Sequence, residues 1–195
     1  MHGANRLGGN GVANSTVFGA VAGDVMAQQV RDLDFQDPDL QALETARARC
    51  EAPFARKPWG SLEPIREKLY DVMWEKVGII RDARGLLEAQ RELAALETAL
   101  DAHGLGDHNR AFNLGWHDWM NLKSLITVSR AIAAAAAARC DSRGAHFRSD
   151  FPGSGPLETS AYTSIHLQAN AFRVDTKPVA FTRVQPGRTL LENVA

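Results

Sequence analysis

Residues 2–12 read HGANRLGGNGV, and residues 13–19 continue as ANSTVFG. Four glycines in eleven residues permit positive φ angles and a close approach of the backbone to a flat or charged group. The small residues that follow predict a helix over residues 12–31, which places the glycine turn at a helix N-terminus, where unpaired amides carry partial positive charge. Arg6 adds a planar cation suited to a carboxylate. The stretch predicts a site for a carboxylate and an electron-rich ring.

Composition excludes several classes of function. The net charge of −1 gives no electrostatic case for binding nucleic acid or an anionic membrane. The only two cysteines, Cys50 and Cys140, are far apart and favour two reduced thiols over a disulfide. The longest apolar run, residues 131–138, is too short to span a bilayer.

The middle of the chain carries helical periodicity in three segments. Residues 53–60 form a proline-rich connector. Ser61 is then predicted to cap a helix that ends at Gly78 and has Ile65, Leu69, Val72 and Met73 on one face. A second helix is predicted over residues 83–103, with Gly104 as its stop, and a third over residues 114–139. Its apolar face is predicted to contain Trp116, Trp119, Leu122, Leu125, Ile126, Val128 and Ile132. Short connections predict a three-helix, spectrin-like up-down-up bundle.

The segments on either side complete the predicted organisation. A short polar helix is expected over residues 39–51, and a hairpin of strands 164–174 and 178–184 around Asp175-Thr176. We expect three domains: residues 1–52, a loop-helix segment; 53–152, the bundle; and 153–195, a C-terminal extension with the β hairpin. The fold class is mainly α.

Two strings resemble the succinate dehydrogenase and fumarate reductase flavoprotein family. The first is HGANRLGGN at residues 2–10, followed by Val17-Phe18-Gly19 and Ala22-Gly23, which is similar to the family's flavin-contacting segment. The second is SRGAHFRSDFP at residues 142–152, which resembles an element that follows the family's helical domain. The two strings occur in the family's order and at about its spacing.

The resemblance implies roles for the N-terminal residues. Arg6 would bind a carboxylate of succinate or fumarate, with His2 beside it at the substrate. The backbone around Asn10, Gly11 and Val12 would contact the pyrimidine end of FAD. Most relatives have Ser-Leu where this chain has Gly11-Val12, a change that a contact through the backbone tolerates but that leaves the subfamily open.

Other parts of the family's site do not occur in this sequence. No strand is followed by G-x-G-x-x-G and a helix, which is the unit that holds the AMP half of FAD. The family's arginine proton donor and its other substrate-binding residues lie upstream of its GANRLG string. We therefore expect the chain to be the C-terminal portion of a larger flavoprotein, inactive alone and with no catalytic residue of its own.

Two further clusters have open interpretations. Arg143, His146 and Arg148 could line the substrate cavity or tie the bundle to the flavin domain, and the second is favoured because such clusters commonly satisfy interfaces. His103, Asp107, His108 and His117 offer nitrogen and oxygen atoms but lack zinc-type spacing, which favours a solvated loop and no metal site.

The function expected from the resemblance is hydride transfer between flavin and succinate, fumarate or a related dicarboxylate. The alternatives are an L-aspartate oxidase-like flavoenzyme and a non-catalytic helical docking domain. The expected partners are an upstream flavin domain, an iron-sulfur subunit and the dicarboxylate. The expected location is cytoplasmic, with peripheral attachment to the inner membrane through partner subunits as a further option.

Overall fold

The structure, a computed structural model, describes residues 8–168, 171–182 and 185–188. The chain divides into two compact units, Met1–Ala52 and Pro53–Ala195. The first contains helix α1, Asn10–Gln29, and helix α2, Leu40–Glu51. The second contains three further α-helices and two small sheets among its described residues.

Helix α1 is continuous but has no buried residue. Its apolar side chains Val17, Phe18, Val21 and Val25 are all about half exposed. A Cβ built on Gly19 or Gly23 meets no atom within 4 Å among the described residues. The predicted helix is therefore present, while its apolar face is left open within the part of the chain that is described.

Helices α3 (Glu63–Val77), α4 (Ala83–Ala102) and α5 (Leu114–Ala138) form the bundle, which confirms the predicted fold class. The core takes one stripe from each helix: Ile65, Leu69 and Val72 from α3; Leu86, Ala89, Leu93, Leu96 and Leu100 from α4; Trp119, Leu122, Ile126, Ala133 and Ala136 from α5. Burying each of the leucines contributes about 1.5–3 kcal/mol. The spacing of three and four residues explains why the helices were predictable.

Ion pairs between the helices follow the up-down-up order of the bundle. Lys76, near the end of α3, pairs with Glu88 near the beginning of α4. Lys68, two turns earlier on α3, pairs with Glu92, one turn later on α4, so the two helices run in opposite directions. Between α4 and α5, Lys123 pairs with Asp101. Arg130, one to two turns further along α5, pairs with Glu97, one turn earlier on α4. Helix α4 therefore runs antiparallel to both neighbours.

The buried stripe of α5 differs in part from the prediction. Leu125, Val128 and Ile132 were expected in the core, but each is more than 40% exposed. Ser129 is buried in their place because it continues the stripe that Trp119, Leu122 and Ile126 begin. A sequence window holding more apolar residues than one face can bury does not show which of them face the core.

The loop between α4 and α5 is also more ordered than predicted. His103 is only 4% exposed, and its ring lies 5.0 Å from that of Trp59, so the expectation of a solvated loop is wrong for this residue. The next residue, Gly104, has no room for a side chain, because a Cβ there would lie 2.0 Å from the Arg56 carbonyl oxygen. This glycine is required by close approach of the segment that precedes α3.

Four short strands complete the second unit. β1 (Ile80–Arg81) pairs in parallel with β2 (Phe147–Arg148), a contact that the sequence did not predict. β3 (Ala161–Gln168) and β4 (Ala171–Pro178) form the predicted antiparallel hairpin, which packs beside α5 with the Arg130 guanidinium 5.5 Å from the Phe172 ring.

The predicted register of the hairpin is wrong. Asp175 and Thr176 were expected in the turn, but they lie within β4 opposite Ser164 and Thr163. Pairing keeps Asp175 in the strand, where it accepts a hydrogen bond from Arg173 at 3.0 Å. A local turn signal was overridden by cross-strand pairing. No helix in the described ranges combines the length and apolarity needed to cross a bilayer.

Candidate functional site

The glycine turn at the start of α1 has the local geometry that the sequence predicts. Gly9 has a φ of 82°, in the region that favours glycine, and directly precedes the first helical residue. Its carbonyl accepts from the Val12 and Ala13 amides, both at 3.1 Å. The positive φ lets the chain reverse into a twenty-residue helix with its backbone exposed.

The two amides that precede Val12 differ from those of Val12 and Ala13. Among the described residues, the Asn10 and Gly11 amides have no acceptor, and no side chain caps this helix. The first turn of α1 also contains no acidic residue that could offset the helix dipole. Within the described residues, the start of α1 therefore presents donors without a partner, together with a partial positive charge.

Helices α2, α4 and α5 differ from α1 in that an N-terminal side chain caps each of them. Asp39 accepts from the Ala42 amide at 3.0 Å, Asp82 from the Gly85 amide at 2.7 Å, and Asn113 from the Trp116 amide at 2.9 Å. Each of these caps satisfies one of the amides that a helix leaves unpaired. Helix α1 has a glycine where those helices have Asp or Asn.

The predicted ligand-binding residues fall into two groups. Arg6 and His2 lie outside the described residues. Asn10 and Gly11 are partly buried at the beginning of α1, and Val12 is 75% exposed. Because the Val12 amide already donates to Gly9, the Asn10 and Gly11 amides are the better donors for a ligand.

The second predicted cluster lies where the C-terminus of α5 meets the N-terminus of α4, and it centres on Arg148. This guanidinium is almost fully buried and donates from Nη1 to the carbonyls of Ala136, Ala137 and Arg139 at 3.0–3.3 Å. It therefore caps the C-terminus of α5, where carbonyls lack intrahelical partners. Its other nitrogens donate to both Asp150 oxygens at 2.7 Å.

Asp150 links this pair to α4. Its Oδ2 also accepts from the Ala83 amide at 2.9 Å, at the beginning of that helix. The hydrogen bonds from Arg148 are the main cause that lowers the pKa of Asp150 to about 2. The carboxylate is thus held ionised between the end of α5 and the beginning of α4.

Arg143 and His146 pair with each other through their backbones, and their side chains make separate contacts. Arg143 donates to the carbonyls of Ser154 and Pro156 and to the Ser160 hydroxyl, and it fixes the loop before the hairpin. His146 Nδ1 lies 2.9 Å from Arg81 Nη1. Arg81 was not predicted as a site residue, because nothing in the sequence near residue 81 indicates a partner sixty-five residues away.

Two cavities in the second unit lie away from these residues. A groove of about 580 Å³ between α3 and α5 is lined by Arg66, Tyr70, Asp118 and neighbouring residues of α5. A smaller one of about 260 Å³ includes His103, Gly104 and Arg66 in its lining. Neither includes a residue of the predicted site, and both are open to solvent.

Known proteins resemble this chain across most of its length. The chain is 32% identical to a fumarate reductase flavoprotein subunit of Mycobacterium tuberculosis over 195 aligned positions, covering 96% of the chain and 33% of the relative. An L-aspartate oxidase of Rhodospirillum rubrum is 35% identical, with 84% of the chain and 49% of the relative covered. The chain thus spans about a third of the length of the fumarate reductase flavoprotein subunits that it matches.

The fold comparison agrees with the sequence comparison. The Mycobacterium smegmatis Sdh1 complex in its apo form superposes with a TM-score of 0.78 at 31% identity, over 91% of this chain and 30% of that one. Residues 66–190, which include most of the bundle and the hairpin, match the family described as fumarate reductase flavoprotein C-term. The chain therefore belongs to the succinate dehydrogenase and fumarate reductase flavoprotein family.

Proposed function

We propose that this chain is the C-terminal portion of an FAD-dependent oxidoreductase that interconverts succinate and fumarate, or a related dicarboxylate pair. The observation that carries the proposal is the uncapped N-terminus of α1, where Gly9 turns the backbone and the Asn10 and Gly11 amides have no acceptor in the described part of the chain. Family membership supports the same assignment.

The residues at this turn fit the ring end of a flavin. A Cβ built on Gly8 or Gly9 meets nothing within 4 Å in the described structure, so a flat group has room to approach the backbone. Two amides with no acceptor among the described residues, and the positive end of a twenty-residue helix, stabilise negative charge without a charged side chain. Bound flavin would supply hydride transfer to or from the substrate carbon.

The nucleotide end of FAD requires other residues. The described sheets are two-stranded, one parallel and one antiparallel, and offer no strand-helix-strand unit for a diphosphate. We assign the turn before α1 to the ring, and the AMP half to an upstream flavin domain. Residues 1–52 would then be the end of that domain, residues 53–152 the helical domain, and residues 153–195 an extension of it.

The open face of α1 supports this division. Val17, Val21 and Val25 follow at intervals of four residues and are about half exposed, while Gly19 and Gly23 leave room for another backbone. An upstream flavin domain would bury this face. An iron-sulfur subunit is a further proposed partner. We place the protein in the cytoplasm, with any membrane attachment made through partner subunits.

Arg6 is the proposed substrate clamp. Its guanidinium can hold a carboxylate by two parallel hydrogen bonds, and His2 is proposed to bind the substrate beside it. A fixed cation at the carboxylate orients the substrate carbon and favours charge that develops on the dicarboxylate during hydride transfer. The proton would be handled by a residue outside this chain.

L-aspartate oxidation is the second candidate, favoured by the Rhodospirillum rubrum relative. Steady-state assays of the full-length protein with succinate, fumarate and L-aspartate separate the candidates. We expect turnover with succinate or fumarate and less than a hundredth of that rate with aspartate. Hydrogen-bond recognition of polar substrate groups can produce a ratio of this size. Preferred oxidation of aspartate would replace it with the second candidate.

The docking-domain alternative requires a separate measurement. The 195-residue chain is mixed with FAD and desalted, and the retained flavin is measured by absorbance and fluorescence. Little retained flavin, together with activity of the full-length protein, supports the proposed division of the cofactor site. A full-length protein that binds no flavin would favour a purely structural docking domain.

A further inference from the structure

We propose that residues 142–150 form an acid-sensitive latch, which the neutral form of His146 holds closed where the ends of α3 and α5 meet the beginning of α4. The latch is a conformational device of the helical domain, and it is independent of the proposed flavin chemistry. It rests on the contacts of His146, Arg81 and Arg148.

The first half of the latch closes the end of α3. Arg81 Nε donates to the carbonyls of Val77 and Gly78 at 2.9 and 2.8 Å, at the C-terminus of that helix. The same side chain reaches His146 Nδ1 through Nη1. His146 therefore holds the arginine that caps α3.

The second half closes the end of α5 and the beginning of α4. Arg148 binds the last carbonyls of α5, and its partner Asp150 binds the Ala83 amide. The parallel pairing of β1 with β2 joins the two halves, and the Ser149 amide donates to the Arg81 carbonyl at 2.8 Å. Opening of this segment would release three helix ends together.

The contact between Arg81 and His146 requires a neutral imidazole. A guanidinium can only donate hydrogen bonds, so Nδ1 of His146 must carry its lone pair and the ring hydrogen must be on Nε2. Protonation places a hydrogen on Nδ1 and removes the acceptor. It also brings two cations within hydrogen-bond distance.

The surroundings of His146 oppose its positive charge. Burial is the main cause that lowers its pKa, and the charges of Arg81, Arg139 and Arg148 act in the same direction, while the Arg139 carbonyl acts against them. Nε2 is buried and has no hydrogen-bond partner of normal geometry among the described residues. Protonation of the ring therefore favours the open segment.

The nearby acids have other partners. Asp150 binds Arg148, and Asp141 binds both Arg139 and Arg143. On the α4 side, Asp82 acts on Arg148, as does Cys140 from the end of α5. The charged and titratable groups around His146 are thus Arg81, Asp82, Arg139, Cys140, Asp141, Arg143, Arg148 and Asp150. The causes that shift the His146 pKa include no carboxylate.

The sign of the pH effect follows from linkage. A histidine with a lowered pKa in the closed state binds a proton more readily when the segment is open. The latch is fully stable above the ordinary histidine pKa of 6.5 and loses stability as the pH falls from there toward the lowered value. Within that window, binding of one proton raises the opening equilibrium by at most about tenfold per pH unit.

Hydrogen exchange of the full 195-residue chain tests the latch. Rates are measured between pH 7.5 and 5.5 and corrected for the intrinsic pH dependence of exchange. We expect protection of the His146, Arg148 and Ser149 amides to fall by up to about fivefold between pH 6.5 and 5.5. Protection of the Leu93 amide, in the middle of α4, should stay constant. Constant protection of the latch amides would overturn the proposal.

Two variants isolate His146. In His146→Asn the side-chain oxygen can accept from Arg81 but does not titrate, so protection should remain at pH 7.5 and become independent of pH. His117→Asn, at an exposed position on α5, is the matched control and should behave like the unmodified chain. The same pH dependence in His146→Asn as in the control would overturn the proposal.

Nitrogen NMR of the unmodified chain tests the tautomer without any substitution. At pH 7.5 the His146 ring should be neutral with its hydrogen on Nε2, and it should protonate below pH 6.5. A ring with its hydrogen on Nδ1, or one already protonated above pH 6.5, would contradict the latch even if His146→Asn does not fold.

Discussion

Replacing Arg148 with methionine removes the guanidinium that binds the end of α5 while keeping an unbranched apolar stem. The Arg148 side chain is almost fully buried, at 2% relative exposure, and Asp150 is its ion-pair partner. Breaking a buried ion pair by removing one partner costs about 3–5 kcal/mol. We expect the lower end, about 3 kcal/mol, because Asp150 is 30% exposed and can be hydrated.

Urea denaturation followed by far-ultraviolet circular dichroism measures this loss. With a typical slope of about 2 kcal/mol per molar urea, the midpoint should fall by about 1.5 M. Arg173→Met is the matched control, because Arg173 also pairs with an aspartate two residues later in a strand but is 66% exposed. Its midpoint should fall by less than about 0.3 M. Equal shifts in the two variants would refute the capping role of Arg148.

Two further predictions concern the same unit. Gly104→Ala should destabilise the chain by about 1–3 kcal/mol, because its Cβ would overlap the Arg56 carbonyl. Gly106→Ala is the control and should be nearly neutral, because no atom lies within 4 Å of its Cβ among the described residues. Equal urea midpoints for the two variants would contradict the close approach at Gly104. The stability that Asp150 contributes should be present above its unfolded pKa of 3.8 and be lost as the pH falls toward about 2, because its folded pKa is lowered. Acid titration of Asp150→Asn should lack this loss, and a profile matching the unmodified chain would contradict it.

The helices were predictable because their signals are local. Leu86, Leu93 and Leu100 recur on one face of α4, and all three are buried. Gly78 ends α3 as predicted, since a Cβ there would lie 2.4 Å from the Trp74 carbonyl oxygen. The glycine turn before α1 was predictable because positive φ strongly favours glycine.

The contacts between distant segments were not predictable. Arg81 and His146 meet through a two-residue parallel pairing too short to leave a periodic pattern. The hairpin register depends on pairing between Ala161–Gln168 and Ala171–Pro178, which outweighs the turn preference of Asp175-Thr176. At the candidate site, the sequence indicated the uncapped helix but did not show that the Val12 amide is already bonded to Gly9.

The most direct test of the central claim is the turnover of the complete enzyme with Arg6→Ala. If Arg6 clamps a substrate carboxylate, turnover should fall by orders of magnitude, while flavin content and thermal unfolding stay unchanged. Arg31→Ala, an exposed arginine just beyond α1, is the control and should retain its activity. Near-normal turnover of Arg6→Ala with succinate and fumarate would contradict the assignment.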